Sequence, residues 1–265
     1  MTWTEHGEGV FSRRYKSLDL NIGAVICDGG TLIIDTRAHH EQARDLIRDL
    51  REITDLEVKW VVNTHHHWDH TFGNGEFFEA AIWGHERCTT ALADHGHEMR
   101  EKVKRLAPEH ADQLDEVLIL PPQHTVNDST TETFGGRAIE LRHLGRGHTD
   151  NDLVVLISGV VFAGDLVEEG APPSYGDAFT LEWPDTVARL LDLVDGPVVP
   201  GHGATVDADF VGAQRDDLAE VARLARERHA DGMTWEQAAT AGGPFPADSL
   251  NQAFRRAWAQ IGTAS

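Results

Sequence analysis

Short apolar runs separated by turn residues dominate the first part of the chain. Residues 22–27 and 32–34 flank the turn Asp28-Gly29-Gly30, a pattern that predicts a β-hairpin. Residues 39–52 then place apolar side chains at helical spacing, and the β-branched run 58–63 predicts a strand. Strands therefore begin to alternate with helices early in the chain.

This alternation continues to the end of the sequence. The remaining predicted elements are a strand at 80–83, a helical stretch at 86–118, strands at 138–143, 152–157 and 160–163, a helix at 186–194, a strand at 198–199, and helices at 209–229 and 247–261. The series occurs twice, before and after about residue 125, which predicts an α/β fold of two sheets packed face to face with helices outside. We expect one domain over residues 1–265, with a helical insertion at about 86–118 and C-terminal helices at about 207–261.

Composition and charge exclude several classes of function. The 265 residues are 40% hydrophobic, and 23 Lys and Arg against 44 Asp and Glu give a net charge of −21. Such a surface repels phosphate backbones, so no nucleic-acid partner is expected. No apolar run approaches the roughly 20 residues that span a bilayer, and the first residues show no signal-peptide pattern. These features predict a cytoplasmic protein without a membrane partner.

The candidate chemistry is concentrated in the histidines, of which the chain has 16. The segment 63–70, with the sequence NTHHHWDH, follows a predicted strand directly. In an extended chain, alternate side chains point the same way, so His65 and His67 can reach one metal while His66 points elsewhere. Asp69 and His70, after the chain turns, can serve a second metal. Imidazole and carboxylate groups are ligands of a borderline cation such as zinc.

Three further candidate ligands lie beside glycines, at or just past predicted strand ends. They are His148 after Gly147, Asp165 after Gly164, and His202 between Gly201 and Gly203. A glycine at such a place permits close approach of the backbone. Each motif alone is typical of a turn, but the ordered set predicts a metal centre.

These motifs resemble those of the metallo-β-lactamase superfamily of metallohydrolases, from Ile33-Ile34-Asp35-Thr36 to Pro200-Gly201-His202-Gly203. The resemblance implies a four-layer αββα sandwich of two mixed β-sheets with outer helices, and a dinuclear metal site at one edge of the sheets. It assigns His65, His67 and His148 to the first metal. It assigns Asp69, His70 and His202 to the second metal, with Asp165 bridging, and it makes Asp35 a buried structural aspartate.

Within this superfamily, the string THHHWDH of residues 64–70 is similar to the glyoxalase II branch. The run LVEEGAPP after Asp165 lacks the Gly/Arg/Phe-rich pattern of that branch, and the C-terminal third lacks an obvious basic pair for glutathione carboxylates. True metallo-β-lactamases usually carry cysteine or serine in place of Asp165, and flavodiiron relatives usually carry glutamate in place of His67. These departures favour zinc and leave the subfamily open.

The resemblance implies a hydrolase with two Zn2+ ions per chain, whose bridging hydroxide attacks a small ester, thioester, lactone or amide. Asp69 would orient the hydroxide and transfer its proton. Tyr175 would donate a hydrogen bond to an oxyanion, as in lactonase relatives. The aromatic pocket candidates are Trp68, Phe72, Tyr175, Phe179 and Trp183. Asp150 and Asp152 are either partners of the His148 imidazole or solvated loop carboxylates.

Three alternatives stay open at this point. A mononuclear Fe2+ dioxygenase of the persulfide type would use His65, His148 and a carboxylate such as Asp165. A β-lactam-hydrolysing enzyme and a non-catalytic metal-binding protein are the others, although no ligand of the pattern is lost. If the chain is an enzyme, its expected partner is a small-molecule substrate.

The role of the helical stretch 86–118 is also open: it is a lid, a dimer face or an outer layer. The oligomeric state is not predicted.

Overall fold

Two β-sheets lie face to face between outer layers of helices. The structure is a computed structural model that describes residues 2–263; Met1 and residues 264–265, the ends of the predicted domain 1–265, lie outside the description. The first sheet contains, in spatial order, β1 (Thr4–Gly7), β2 (Val10–Arg14), β3 (Asn21–Cys27), β4 (Gly30–Ile34), β5 (Val58–Val62), β6 (Ala81–His85) and β7 (His124–Val126). Neighbours are antiparallel from β1 to β4 and parallel from β4 to β7, so this sheet is mixed.

The second sheet is also mixed. Its strands are β8 (Ser129–Phe134), β9 (Arg137–His143), β10 (Leu153–Ile157), β11 (Val160–Glu168) and β12 (Val198–His202). Neighbours are antiparallel from β8 to β11, and β12 is parallel to β11. The helices are α1 (His40–Leu50), α2 (Trp68–Thr71), α3 (Glu86–Leu106), α4 (Ala111–Asp115), α5 (Trp183–Leu191), α6 (Ala208–Ala230), α7 (Trp235–Thr240) and α8 (Ala247–Thr263). The predicted fold of two mixed sheets with outer helices is confirmed.

The alternation of side chains along each strand sorts apolar residues between the middle of the sandwich and its outer faces. In β4, Leu32 and Ile34 pack between the sheets, whereas Ile33 packs with the helix α1. In β11, Phe162 points toward the first sheet and Val161 toward the outer helices. Because both faces are covered, these strands are nearly continuous apolar runs, which is why the sequence predicts them.

Amphipathic helices cover the two outer faces. Leu46 and Leu50 of α1 pack on the first sheet. Leu218 of α6 and Phe254 of α8 belong to the cluster on the second sheet. Within residues 2–263, no helix combines the length and the apolar character that crossing a membrane requires.

The structure differs from the predicted elements at the sheet edges and at two strand ends. Strands β1, β2, β7 and β8 and helix α7 are not in the predicted set; in β8, for example, only Phe134 is buried. Strand β11 continues past Ala163 to Glu168, and β12 reaches His202, because the two strands pair in parallel beyond Gly164. The helical stretch 86–118 is divided into α3 and α4, with a break at Pro108, a residue that cannot continue a helix.

His85, at the end of β6, uses its imidazole to cap helix α3. Its Nδ1 accepts a hydrogen bond of 3.0 Å from the Arg87 N–H, and its Nε2 donates to the Asn127 carbonyl oxygen at 3.0 Å. Burial, together with the neighbouring His143, lowers the pKa of His85 to about 4. The neutral imidazole is therefore the form that stabilises the fold.

We expect the substitution His85→Asn to flatten the pH dependence of stability, because asparagine can cap a helix without titrating. The unfolded chain binds a proton at His85 below its ordinary pKa of 6.5, whereas the folded chain stays neutral down to about pH 4. The wild type should thus lose stability through this residue as the pH falls from 6.5 toward 4. Thermal melts of both proteins at several pH values check this. Parallel melting curves for the two proteins, which share the other histidines, would contradict it.

Candidate metal centre

The candidate ligands lie at one edge of the sandwich, where strands of both sheets end. His65 and His67 follow β5, and Asp69 and His70 belong to the short helix α2. The second sheet contributes the other three ligands: His148 from the loop between β9 and β10, Asp165 from within β11, and His202 from the end of β12. The fold thus brings together all seven residues that the sequence predicts as ligands.

Four of these residues form a first potential metal group. His65, His67, His148 and Asp165 each offer one ligand atom, and these atoms lie within 4.8 Å of one another. The Nε2 atoms of His65 and His148 lie 3.6 and 3.7 Å from Asp165 Oδ2. Three imidazoles and a carboxylate therefore converge on one region.

Asp69, His70 and His202 form a second potential group, again within 4.8 Å. His202 Nε2 lies 3.4 Å from Asp69 Oδ2 and 3.3 Å from His70 Nε2. Asp165 also contacts this group, with its Oδ1 3.3 Å from His70 Nε2 and its Oδ2 3.4 Å from His202 Nε2. One carboxylate therefore contacts both groups, at the position that a bridging ligand would occupy.

Asp35, buried directly after β4, orients the chain that carries the histidines. Its carboxylate accepts three hydrogen bonds of 2.8 Å, from the Thr64 N–H, the Thr64 hydroxyl and His70 Nδ1. The Thr64 hydroxyl in turn accepts a hydrogen bond of 3.1 Å from His65 Nδ1. Because the Nδ1 atoms of His65 and His70 donate these hydrogen bonds, the Nε2 atom of each ring is the one left to bind a metal ion.

Asp177 is an outer partner of the centre that the sequence does not predict. His67 Nε2 lies 3.0 Å from Asp177 Oδ1, so its Nδ1 is the atom left for a metal. The ring of His66 is held by Asn151, whose Nδ2 donates to His66 Nδ1 at 2.9 Å. Asp177 lies in a loop without any local motif, and only the tertiary structure places it beside His67.

Of the two candidate partners of His148, the structure selects Asp152. This carboxylate is buried, accepts hydrogen bonds from the Thr149 N–H and hydroxyl, and lies 3.7 Å from His148 Nδ1. The Asp150 carboxylate instead accepts a hydrogen bond from Asn151 Nδ2. Asp152 is thus the group that faces the His148 ring.

The dense packing of charges shifts the pKa values of the ligands. Burial is the largest effect on His148 and His202 and lowers the pKa, but the neighbouring carboxylates together, that of Asp165 foremost, outweigh it and raise the pKa to about 9 and about 10. Asp165 itself is buried, yet the surrounding imidazoles, that of His70 foremost, hold its pKa well below the ordinary value. In the metal-free protein His148 and His202 are therefore protonated at neutral pH, and metal binding must displace those protons.

The donor atoms fit metal ions. Within residues 2–263, His65 Nε2 and Asp165 Oδ1 are buried without a hydrogen-bond partner. An unsatisfied buried polar atom costs about 1–3 kcal/mol, which a bound ion would relieve. Imidazole nitrogens with carboxylate oxygens suit zinc, iron and manganese. The cluster therefore has the donor composition of a metal centre, and two of its donor atoms are buried without a hydrogen-bond partner.

A cavity of about 650 Å³ opens onto this centre. His67, Asp69, His148, Asp165 and His202 lie at its base. One wall is a face of α3 that includes His95, Met99, Lys102, Val103 and Leu106, and the opposite wall lies between residues 168 and 177. Helix α3, part of the predicted insertion 86–118, thus borders the space in which a substrate would bind.

The structure corrects the expected role of Tyr175. Its side chain is 1% exposed and packs in the core on the second sheet, with its ring 5.3 Å from that of Trp183. Ser174 and Gly176 line the cavity, but Tyr175 does not, because neighbouring residues of a non-helical segment face opposite sides. The Tyr175 side chain thus lies in the core and not among the residues that line the cavity. Of the five aromatic pocket candidates, only Trp68 lines the cavity. The cavity lining does not include Phe72, Tyr175, Phe179 or Trp183.

Comparison with known proteins agrees with this geometry. The family model described as the metallo-beta-lactamase superfamily matches residues 21–202. A metallo-beta-lactamase type 2 of Bacteroides fragilis is 28% identical over 158 residues, 57% of this chain and 59% of that enzyme. A linear primary-alkylsulfatase of a Pseudomonas species is 23% identical over 239 residues, 75% of this chain and 43% of that enzyme. The matched region thus spans only about half of these relatives.

A solved structure shares the fold over almost the entire chain. The stereoselective inverting sec-alkylsulfatase Pisa1 of a Pseudomonas species superposes with a TM-score of 0.77 and 16% identity, over 98% of this chain and 50% of the other. The family match covers every predicted ligand, and the relatives are hydrolases. The chain therefore belongs to the metallo-β-lactamase superfamily.

Proposed function

We propose that this chain is a dinuclear zinc hydrolase that cleaves a small ester, thioester, lactone or amide. The observation that carries the proposal is the position of Asp165, whose two oxygens lie 3.3–3.7 Å from imidazoles of both ligand groups. A carboxylate that contacts two separate sets of imidazole donors suits a pair of divalent cations better than a single ion. The complete second group is the feature that disfavours a mononuclear iron dioxygenase.

In this mechanism, His65, His67, His148 and Asp165 would hold the first ion, and Asp69, His70, His202 and Asp165 would hold the second. When bound, such ions would supply a nucleophilic water at neutral pH and polarisation of the bond under attack. Asp69 is both a member of the second group and a residue of the cavity wall. Its carboxylate can therefore orient the nucleophile and receive a proton from it at Oδ2. The outer carboxylates Asp35, Asp152 and Asp177 hold the imidazoles in place.

A second candidate function is hydrolysis of an alkyl sulfate ester. It is favoured by one observation: the alkylsulfatase of known structure matches nearly the entire chain, including the region beyond the family match at residue 202. The two functions share the ligand set and differ in the atom that is attacked. In esters, thioesters, lactones and amides this atom is the carbonyl carbon. In an alkyl sulfate it is the sulfur or the alkyl carbon bonded to the ester oxygen. A substrate panel separates them.

The test is metal content and substrate range of the protein purified without a histidine tag. We expect two zinc ions per chain and turnover of chromogenic esters, thioesters or lactones. In the variant His67→Ala, metal and turnover should be lost together, whereas His95→Ala, which removes a cavity histidine outside both groups, should keep its metal. Full metal and full rate in His67→Ala would overturn the assignment. One iron per chain with oxygen consumption would favour the dioxygenase, and turnover of alkyl sulfates or β-lactams alone would replace the substrate class.

The apolar face of α3 leads to a prediction about substrate preference. Leu106 lines the cavity and is 73% exposed, more than any other large apolar residue of residues 2–263. An exposed leucine at a pocket wall is typical of a surface that an apolar group covers. We expect Leu106→Ser to raise KM about 4- to 15-fold for esters with longer acyl chains, the effect of losing one to two buried methylene groups. Acetyl esters should be little affected.

Leu118→Ser is the matched control, because Leu118 is 62% exposed but does not line the cavity. Michaelis–Menten series over acyl length in the two variants make the comparison. Equal KM changes for short and long acyl chains in Leu106→Ser would contradict the prediction.

A further inference from the structure

His202 differs from the other candidate histidine ligands in the group that contacts its outer nitrogen, the ring nitrogen that faces away from the metal centre. The outer nitrogens of His65, His67, His70 and His148 face the side chains of Thr64, Asp177, Asp35 and Asp152. His202 Nδ1 instead donates to a backbone carbonyl, that of Leu18, at 2.7 Å. Leu18 belongs to the segment between β2 and β3 of the first sheet, whereas His202 ends β12 of the second. The direction of this ring therefore depends on how a loop of the opposite sheet presents one carbonyl oxygen.

The backbone of that loop adopts an unfavourable conformation. Leu18 has φ 61° and ψ 5°, and Asp19 has φ 56°. Two consecutive residues with side chains in the left-handed region are rare, because the Cβ atoms crowd the backbone. These angles orient the peptide unit that carries the Leu18 carbonyl. If the backbone relaxed, that oxygen would turn away from His202.

Arg14 holds the strained turn from outside. Its Nε and Nη2 donate to the Asp19 carboxylate oxygens at 2.5 and 2.6 Å, a bidentate contact of fixed geometry. The Asp19 carbonyl accepts a hydrogen bond of 3.0 Å from the Gly203 N–H, next to His202. Asp19 is thus tied to Arg14 through its side chain and to the end of β12 through its backbone.

We propose that Arg14 and Asp19 are positioning residues for the second metal ion: their ion pair keeps the Leu18 carbonyl on His202 Nδ1 and thereby sets the affinity of the group Asp69, His70 and His202. The inference rests on the proposed dinuclear function, since it concerns only the second group. Arg14 and Asp19 are 36% and 43% exposed at their side chains. An exposed ion pair contributes little to global stability, so the pair should act on the metal and hardly on the fold.

The experiment is a zinc titration of the metal-free protein against a chromophoric chelator, with wild type, Arg14→Gln, Arg14→Lys and Asp19→Asn. In Arg14→Gln we expect the second zinc equivalent to bind at least about 10-fold more weakly, the usual effect of losing an outer partner of a metal ligand. Arg14→Lys should weaken it as well, because an ammonium group cannot form the bidentate contact. Asp19→Asn should have a smaller effect, because asparagine tolerates positive φ and keeps one acceptor oxygen. The first equivalent should bind as in wild type.

Arg44→Lys is the matched control, because Arg44 makes a similar exposed bidentate contact, with Glu76, away from the centre. Melting curves of the metal-free variants show whether each remains folded. Unchanged second-site affinity in Arg14→Gln would overturn the positioning role, and so would equal weakening of both sites together with a lower melting temperature. A wild type that binds one zinc only would overturn the dinuclear function, and with it the second site that the pair would position.

Discussion

Replacing Asp165 by asparagine should remove metal from both ligand groups at once. The change keeps the size of the side chain but removes the negative charge that faces imidazoles of both groups. We expect turnover to fall by more than the 10- to 100-fold that is usual for an outer partner of a metal ligand. Elemental analysis of the purified variant, with initial rates on the best ester of the panel, measures both effects.

Asp150→Asn is a suitable comparison, because Asp150 lies in the same loop as His148 but its carboxylate contacts neither ligand group. That variant should keep its metal content. If Asp165→Asn retained the metal content of wild type, Asp165 would not be the shared ligand, and the two groups would have to act independently.

Introducing a methyl group at Gly201 should damage the centre almost as severely. A Cβ built at this position would lie 1.8 Å from Asp165 Oδ1 and 3.0 Å from the Asp165 backbone nitrogen. Either the carboxylate or strand β12 must then move, and β12 carries His202. We expect Gly201→Ala to lower metal content and to destabilise the fold by about 1–3 kcal/mol, the usual effect of overpacking a buried site. Denaturant melts and metal analysis provide the readouts.

The control is Gly212→Ala in helix α6, where the nearest atom to a new Cβ is Leu191 Cδ2 at 3.8 Å. Alanine is favoured over glycine in a helix, so that variant should be as stable as wild type or slightly more stable. Wild-type metal content and stability in Gly201→Ala would show that the centre can move aside, contrary to the close packing of Gly201 against Asp165.

The sequence identifies the candidate ligands that the fold brings together because each is marked locally. His65, His67, Asp69 and His70 occupy one short motif after a strand, and the other three lie beside glycines that allow the backbone to approach. Nearly continuous apolar runs likewise predict the central strands, which are covered on both faces. The polar edge strand β8 lacks that signal, because Phe134 is its only buried residue.

Outer contacts are set by tertiary structure and are therefore not visible in the sequence. Asp177 becomes a partner of His67 only because the loop after β11 folds back over the centre. The Leu18 carbonyl that holds His202 is a backbone atom, for which no residue type is diagnostic. Tyr175, predicted from the sequence to face the substrate, lies in a loop that borders the cavity, but its side chain packs in the core. Position along the chain thus indicates which loop borders the cavity, and packing decides which side chains reach it.

The division of the ligands between the two sheets has a consequence for how long the protein persists in a cell. The chain up to β7 contributes His65, His67, Asp69 and His70, and the chain after it contributes His148, Asp165 and His202. A metal ion held by both parts acts as a reversible cross-link that closes a long loop of chain. Because a ligand that binds only the folded state stabilises it by mass action, the folded population rises with the free metal concentration. Metal scarcity would then expose the chain to proteases and reduce the amount of enzyme as well as its activity.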